Sequence, residues 1–196
     1  DSTSAYNIGI GHNAGAAVTT GTKNTLIGGL AGDALTTGTT NVAVGYQALS
    51  SDTLGKRSVA IGNAALFTQN FTSATDTYNV AVGEAAGLSV TTGIRNTFVG
   101  SLAGDGTDDG YENVAVGESA LSANCGNGNT ALGREAGQII TGSYNNCMGY
   151  QAGTVITSGN YNVVIGTGCE TSSATAEVQI VMGANATGVA NGNFTI

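Results

Sequence analysis

The 196-residue sequence has no proline, no tryptophan, a single histidine and only 9% charged residues. Without proline, chain reversals have to be built from glycine, asparagine and threonine. No apolar run reaches the ~18 residues of a membrane-spanning helix, so membrane insertion is not expected. Thirteen acidic residues against five basic ones give a net charge of -8, which argues against nucleic acid or an anionic membrane as partner. His12 sits alone at a variable position, and no Ser or Cys has a neighbouring motif that would pair it with a base. No enzymatic activity, cofactor or metal is expected. Yet 41% of the residues are hydrophobic and the 32 glycines recur in a fixed pattern, too ordered for a disordered chain.

That pattern is one unit written again and again: Asn, three small or apolar residues, Gly, two variable residues, then Ala followed by Gly or Leu. It begins at Asn7, Asn24, Asn41, Ser58, Asn79, Asn96, Asn113, Asn129, Asn145 and Asn162, with an altered copy at Gln179. Eleven copies at steps of mostly 17 residues imply a solenoid, one coil per copy. Segments such as Val42-Ala43-Val44 are short and β-branched and stop at Gly, which is strand chemistry. The expected fold is therefore all-β: a parallel β-solenoid, either β-roll or β-helix. It forms a single elongated domain over residues 1–196, roughly 50 Å long at the strand spacing. The corner column Gly11, Gly28, Gly45 onward to Gly183 and the turn column Gly21, Gly38, Gly55 onward to Gly159 mark places where a Cβ does not fit or φ is positive. The Asn column is expected to bond backbone groups, or other Asn residues, from coil to coil.

Alternation along each strand assigns the faces. Positions one and three after the Asn, such as Val80 and Val82, are expected inside the coil. Position two is expected outside: Leu26, Ala43, Ala60, Ala81, Phe98, Ala115, Ala131, Cys147 and Val164. A charge-free stripe running the length of a rod is too large to leave in water, so these nine residues are expected to form a subunit interface with further copies of the chain.

The one insertion, residues 67–78, is four residues longer than the rule and reads as an extended surface loop. Its Phe67, Phe71 and Tyr78 are candidate receptor contacts, or else pack against the rod. Gly104-Asp105-Gly106-Thr107-Asp108-Asp109-Gly110 lacks the bidentate Glu of a calcium loop and reads as a solvated acidic turn. Glu84 and Glu118 share a column two coils apart, about 10 Å by strand spacing. An inverting glycosidase could use such a pair, but Tyr46, Asn63, Arg134 and Tyr150 in the same column read as a solvated edge. Cys125, Cys147 and Cys169 occupy different columns and read as small buried thiols. The threonine pairs Thr19-Thr20, Thr36-Thr37 and Thr91-Thr92 raise an ice-binding reading, against which the column breaks at Ser51-Asp52, Asp108-Asp109 and Ser158. Residues 170–196 read as a frayed final coil ending in the start of a twelfth strand and leading to a C-terminal region beyond the sequence.

Ser58-Val59-Ala60-Ile61-Gly62 and Asn79-Val80-Ala81-Val82-Gly83 resemble the head repeats of trimeric autotransporter adhesins, whose fold is a parallel β-roll assembled as a homotrimer. The run from Thr22 through Leu49, with Asn24-Thr25-Leu26-Ile27-Gly28 and Asn41-Val42-Ala43-Val44-Gly45, is more similar to repeats of phage tail-fibre proteins. The resemblance implies a homotrimeric tail-fibre segment at the virion surface that presents a host-attachment surface. Its implied partners are other fibre or virion proteins and a host cell-surface glycan or protein. The alternative it implies is a bacterial trimeric adhesin head on the cell surface.

Overall fold

The computed structural model describes residues 5–196, and among these there is no helix. The chain is a parallel β-solenoid of about eleven coils, mostly 17 residues each. Three-residue strands stack into one twelve-stranded sheet. Register between coils is strict: Val42, Ala43 and Val44 pair with Val59, Ala60 and Ile61, and at the end of the rod Ile180 and Val181 pair with Phe194 and Thr195. Main-chain bonds also link the turns of successive coils, as in Gly87 N–H to Ala103 O at 2.9 Å. The whole circumference of the rod is thus laced together.

The Asn column is the internal spine. Each Asn side-chain oxygen accepts the main-chain N–H of the residue in the same column of the next coil, and its amide donates to a turn carbonyl there, a glycine's except for Asn162, which donates to Ala176. For Asn24 these are Asn41 N at 2.9 Å and Gly38 O at 2.9 Å. Two orphan backbone groups per coil are satisfied in the dry interior this way, which explains why the column's Asn residues from Asn24 onward are completely buried.

Burial of the Asn sets the phase of every strand, and it overturns the expected faces. With the Asn side chain pointing in, alternation sends position one out, position two in and position three out. Leu26, Ala43, Ala60, Ala81, Phe98, Ala115, Ala131, Cys147 and Val164 all lie in the chain's own core with no more than 1% of their surface exposed. They pack with Ala31, Ala48, Ala65 and Ala86 from the opposite wall and cannot reach another subunit. The core is narrow, so residue volume is shared out locally. A Cβ on Gly87 would lie 2.9 Å from Leu66 and 3.0 Å from Phe98, whose bulk occupies the space that glycine leaves.

The corner glycines take φ near +135°, a region closed to side chains. At Gly100, φ is +136° and a Cβ would stand 2.6 Å from the carbonyl oxygen of Gly117 in the next coil. Gly100→Ala is therefore expected to cost about 3 kcal/mol or more through backbone strain and a broken rung. A fall in the thermal unfolding midpoint checks this.

Residues 67–78 are not a loose loop. Residues Gly55–Lys56 and Thr75–Asp76 pair as a second, two-stranded sheet alongside the rod. Where Ser58 interrupts the Asn column, the insertion sends Gln69 inward: its amide donates to Ser58 Oγ at 2.8 Å and to Asp52 Oδ2 at 2.6 Å, while its oxygen accepts from Asn79 at 2.8 Å. Four extra residues supply the side chain that bridges the gap.

Candidate functional site

The inverted strand phase leaves a different face unaccounted for. Positions one and three of the strands point outward along the entire sheet. Position three carries Ile10, Ile27, Val44, Ile61, Val82, Val99, Val116, Leu132, Met148, Ile165 and Met182, with no polar member in eleven coils. Position one adds Val, Ile and Thr, with Asn146 its single amide. These rows are half-buried to exposed; Met148 is 46% exposed and Val116 38%. The stripe is about 50 Å long and about 10 Å wide, on the order of 500 Å², at the upper end of what a monomer shows to water.

Two columns border it. The leading column, just before the Asn position, holds Tyr6, Lys23, Arg57, Tyr78, Arg95, Glu112, Tyr144 and Tyr161 among its members. The trailing column, just after the corner glycine, holds Tyr46, Glu84, Glu118, Arg134 and Tyr150. All seven tyrosines of the chain are at least 40% exposed, and six of them stand in these two columns. Within a column, neighbours from successive coils touch. The rings of Tyr144 and Tyr161 stack at 5.1 Å, Arg57 lies over Tyr78 and Arg134 over Tyr150. Arg95 pairs with Glu112 at 3.2 Å in the leading column, and Arg134 with Glu118 at 3.4 Å in the trailing one.

The leading column is also strained. Every non-glycine residue in it, from Tyr6 to Val178, has φ between 50° and 64°, a left-handed backbone that costs roughly 1 kcal/mol or more for a residue with a Cβ. Glycine would relieve that strain, yet only Gly128 uses the option. The same left-handed backbone recurs at Leu30, Gln47, Ala64, Ala85 and Leu102, two residues after the corner glycines, so it belongs to the way each coil turns its corners rather than to this column alone.

The structure separates the other candidates. Of the three proposed receptor contacts, Phe71 is 7% exposed and so buried, as the packing alternative expected, Phe67 is half-buried, and Tyr78 alone is presented, at 48% exposure. Phe71 is thus corrected from surface contact to core; its N–H donates to Asp52. Glu84 and Glu118 are both exposed at the trailing edge, and Glu118 is engaged by Arg134. Asp105, Asp108 and Asp109 do not converge: Asp108 accepts from Thr91 Oγ1, and among the described residues no three His, Cys, Asp or Glu side chains gather where they could hold a metal. The three thiols are buried and unpaired with each other, and burial pushes Cys147 up to about 12, which keeps it protonated at neutral pH. Threonine hydroxyls of the turn column are spent on their own backbone, Thr19 donating to Thr36 O at 3.2 Å and Thr36 to Thr53 O at 3.1 Å.

Sequence reasoning missed this face because it placed the Val and Ile rows inside. The signal that would have found it is the Asn column itself, since a charge-free amide repeated coil after coil needs a dry, bonded site. No known family, no curated protein and no solved structure matches the chain.

Proposed function

We propose that the chain is a structural and host-attachment segment of a homotrimeric viral tail fibre, in which three sheets turn their outer faces toward a common axis. The observation that carries this reading is the uninterrupted apolar row at position three, which has no cover within the chain. With the two bordering columns the face measures on the order of 1,000 Å² per chain, about 500 Å² toward each of the two neighbours in a trimer, so closure of the ring rather than any single pairwise contact has to hold it. Its composition fits as well: an apolar centre flanked by Tyr and Arg is the make-up of protein interfaces rather than of a solvated surface. The remaining outer surface is mostly polar turn, in which Leu102, Ile139, Val155 and Val189 are also exposed, and it carries acidic residues that help keep such a rod soluble.

Sedimentation of the purified chain tests assembly; a mass of three 19.2 kDa chains is expected. Adsorption of labelled protein to bacterial cells tests attachment. Saturable binding to a susceptible strain is the result expected of a fibre, whereas binding only to animal cells or matrix would favour the bacterial adhesin head. Deleting residues 67–78 is the wrong control here, because it removes Gln69 from the core. Tyr78→Ala does not serve either, because Tyr78 stands in the leading column that the trimer covers, so its loss would touch assembly as well as attachment.

A further inference from the structure

We infer that neighbouring copies meet with a stagger of one coil, the leading column of one copy lying against the trailing column of the next copy one coil further along the chain. This rests on the trimeric reading above. Cyclic packing about an axis parallel to the rods always brings the leading edge of one sheet to the trailing edge of the next, so the two columns can be compared at every possible stagger.

With a one-coil stagger, Arg57 faces Glu84, Arg95 faces Glu118 and Glu112 faces Arg134, and no like charges meet. Bulk is matched too: Tyr78 falls opposite Ser101, Tyr150 opposite Gly128 and Tyr161 opposite Ala184. A level arrangement instead sets Glu112 against Glu118 and Tyr144 against Tyr150. A stagger of one coil the other way brings Tyr161 onto Tyr150 and leaves Arg95–Glu84 as its one opposite-charge pair. Staggers of two coils oppose Arg95 to Arg134 in one direction and Glu112 to Glu84 in the other. Only the one-coil stagger satisfies charge and volume together.

The internal ion pairs reinforce it. The leading column reads Arg95 then Glu112, and the trailing column reads Glu118 then Arg134, each pair already held within its own chain. Brought together with the stagger, these four side chains alternate in sign around a square, every charge with two opposite neighbours. The offset is small: about 4.8 Å of rise across roughly 20 Å of sheet width, a modest tilt of the coils to the fibre axis.

The test reverses one column at a time so that the internal pair survives. Arg95→Glu with Glu112→Arg places like charges across the interface twice, six times in a trimer. Glu118→Arg with Arg134→Glu does the same, and is combined with Glu135→Gln because Glu135 also bridges Arg134, at 2.8 Å. Sedimentation equilibrium at low ionic strength is expected to show the trimer dissociation constant rising on the order of 100-fold for either reversal alone. All five substitutions together are expected to restore it to within about threefold, and high salt to erase the differences. A level arrangement would respond oppositely, since reversing the leading column there replaces the Glu112–Glu118 repulsion by attraction; tighter association, or no change, overturns the stagger and leaves the trimer intact. A wild-type chain that sediments as a monomer at every concentration overturns the trimeric reading itself.

Discussion

Val82→Glu combined with Val116→Glu is expected to turn the proposed trimer into folded monomers, while Ala81→Glu, one residue away on the same strand, is expected to abolish the fold. Val82 and Val116 point outward, and Val116 is 38% exposed in the isolated chain. A carboxylate at either position therefore meets water in a monomer and disturbs the coil by no more than the ~1 kcal/mol range of strand preference. Around a shared axis the same carboxylates are desolvated beside copies of themselves, at several kcal/mol each. Ala81 is completely buried between coils, where Ala60 and Phe98 are its strand partners. No room exists for a longer side chain there, and overpacking together with an unpaired buried carboxyl uses up most of the roughly 5–15 kcal/mol on which a domain's stability rests. The measurements are sedimentation for mass and far-ultraviolet circular dichroism for fold. Should Val82→Glu unfold the chain and Ala81→Glu leave it folded, the strand phase described above is wrong.

That contrast also marks how far the sequence was legible. Spacing and residue type carried the architecture: the Asn period set the coil, β-branched triplets ending in Gly set the strands, and the corner glycines marked backbone that no Cβ tolerates. The four residues Asn193-Phe194-Thr195-Ile196 read as the start of a twelfth strand, and Phe194 does pair with Ile180. The orientation of the strands was not legible from hydrophobicity alone. Val outranks Ala on any transfer scale, so Val80 and Val82 looked like core and Ala81 like contact surface. A coil this thin has no space for two β-branched residues per strand inside, and both faces of the strand are apolar. What decides is the residue with the most to lose from misplacement, the Asn, whose amide fits the chain only from within.

The insertion shows the second limit. Its length over the rule was visible, and so was the loss of the Asn column at Ser58, but as separate irregularities. The structure makes them one. Gln69 reaches into the gap that Ser58 leaves, Thr77 bonds Ser58 Oγ at 2.6 Å, and the column resumes at Asn79. Such a replacement of one amide by another, eleven residues on, follows from hydrogen-bond demand inside the rod rather than from any local propensity.

Asp52 is the keystone of that repair, and Asp52→Ala is expected to cost about 4 kcal/mol. The carboxylate is completely buried. Its Oδ1 accepts Gly55 N–H at 3.0 Å and Phe71 N–H at 3.2 Å, and its Oδ2 accepts Gln69 Nε2 at 2.6 Å. Removal leaves three buried donors, each costing about 1–3 kcal/mol unless water enters. Asp52→Asn keeps the shape and is expected to lose about 2 kcal/mol, because its amide nitrogen would face Gln69 Nε2, itself a donor. Turning Gln69 over does not help, since its oxygen is held by Asn79 Nδ2. Nor can Asn79 turn, because its oxygen is fixed by the main-chain N–H of Asn96, which can only donate. Burial raises the Asp52 carboxyl above its ordinary value of 3.8, outweighing the three donated bonds. The folded chain thus holds this proton in a range where the unfolded chain has lost it. The stability drawn from that difference is greatest below the ordinary carboxylate value and declines as pH rises through the raised one. Urea unfolding of wild type and Asp52→Asn across acid to neutral pH reads it directly: the gap between them should narrow as pH rises, and a gap that widens would mean the hydrogen bonds, not burial, set the titration of this group.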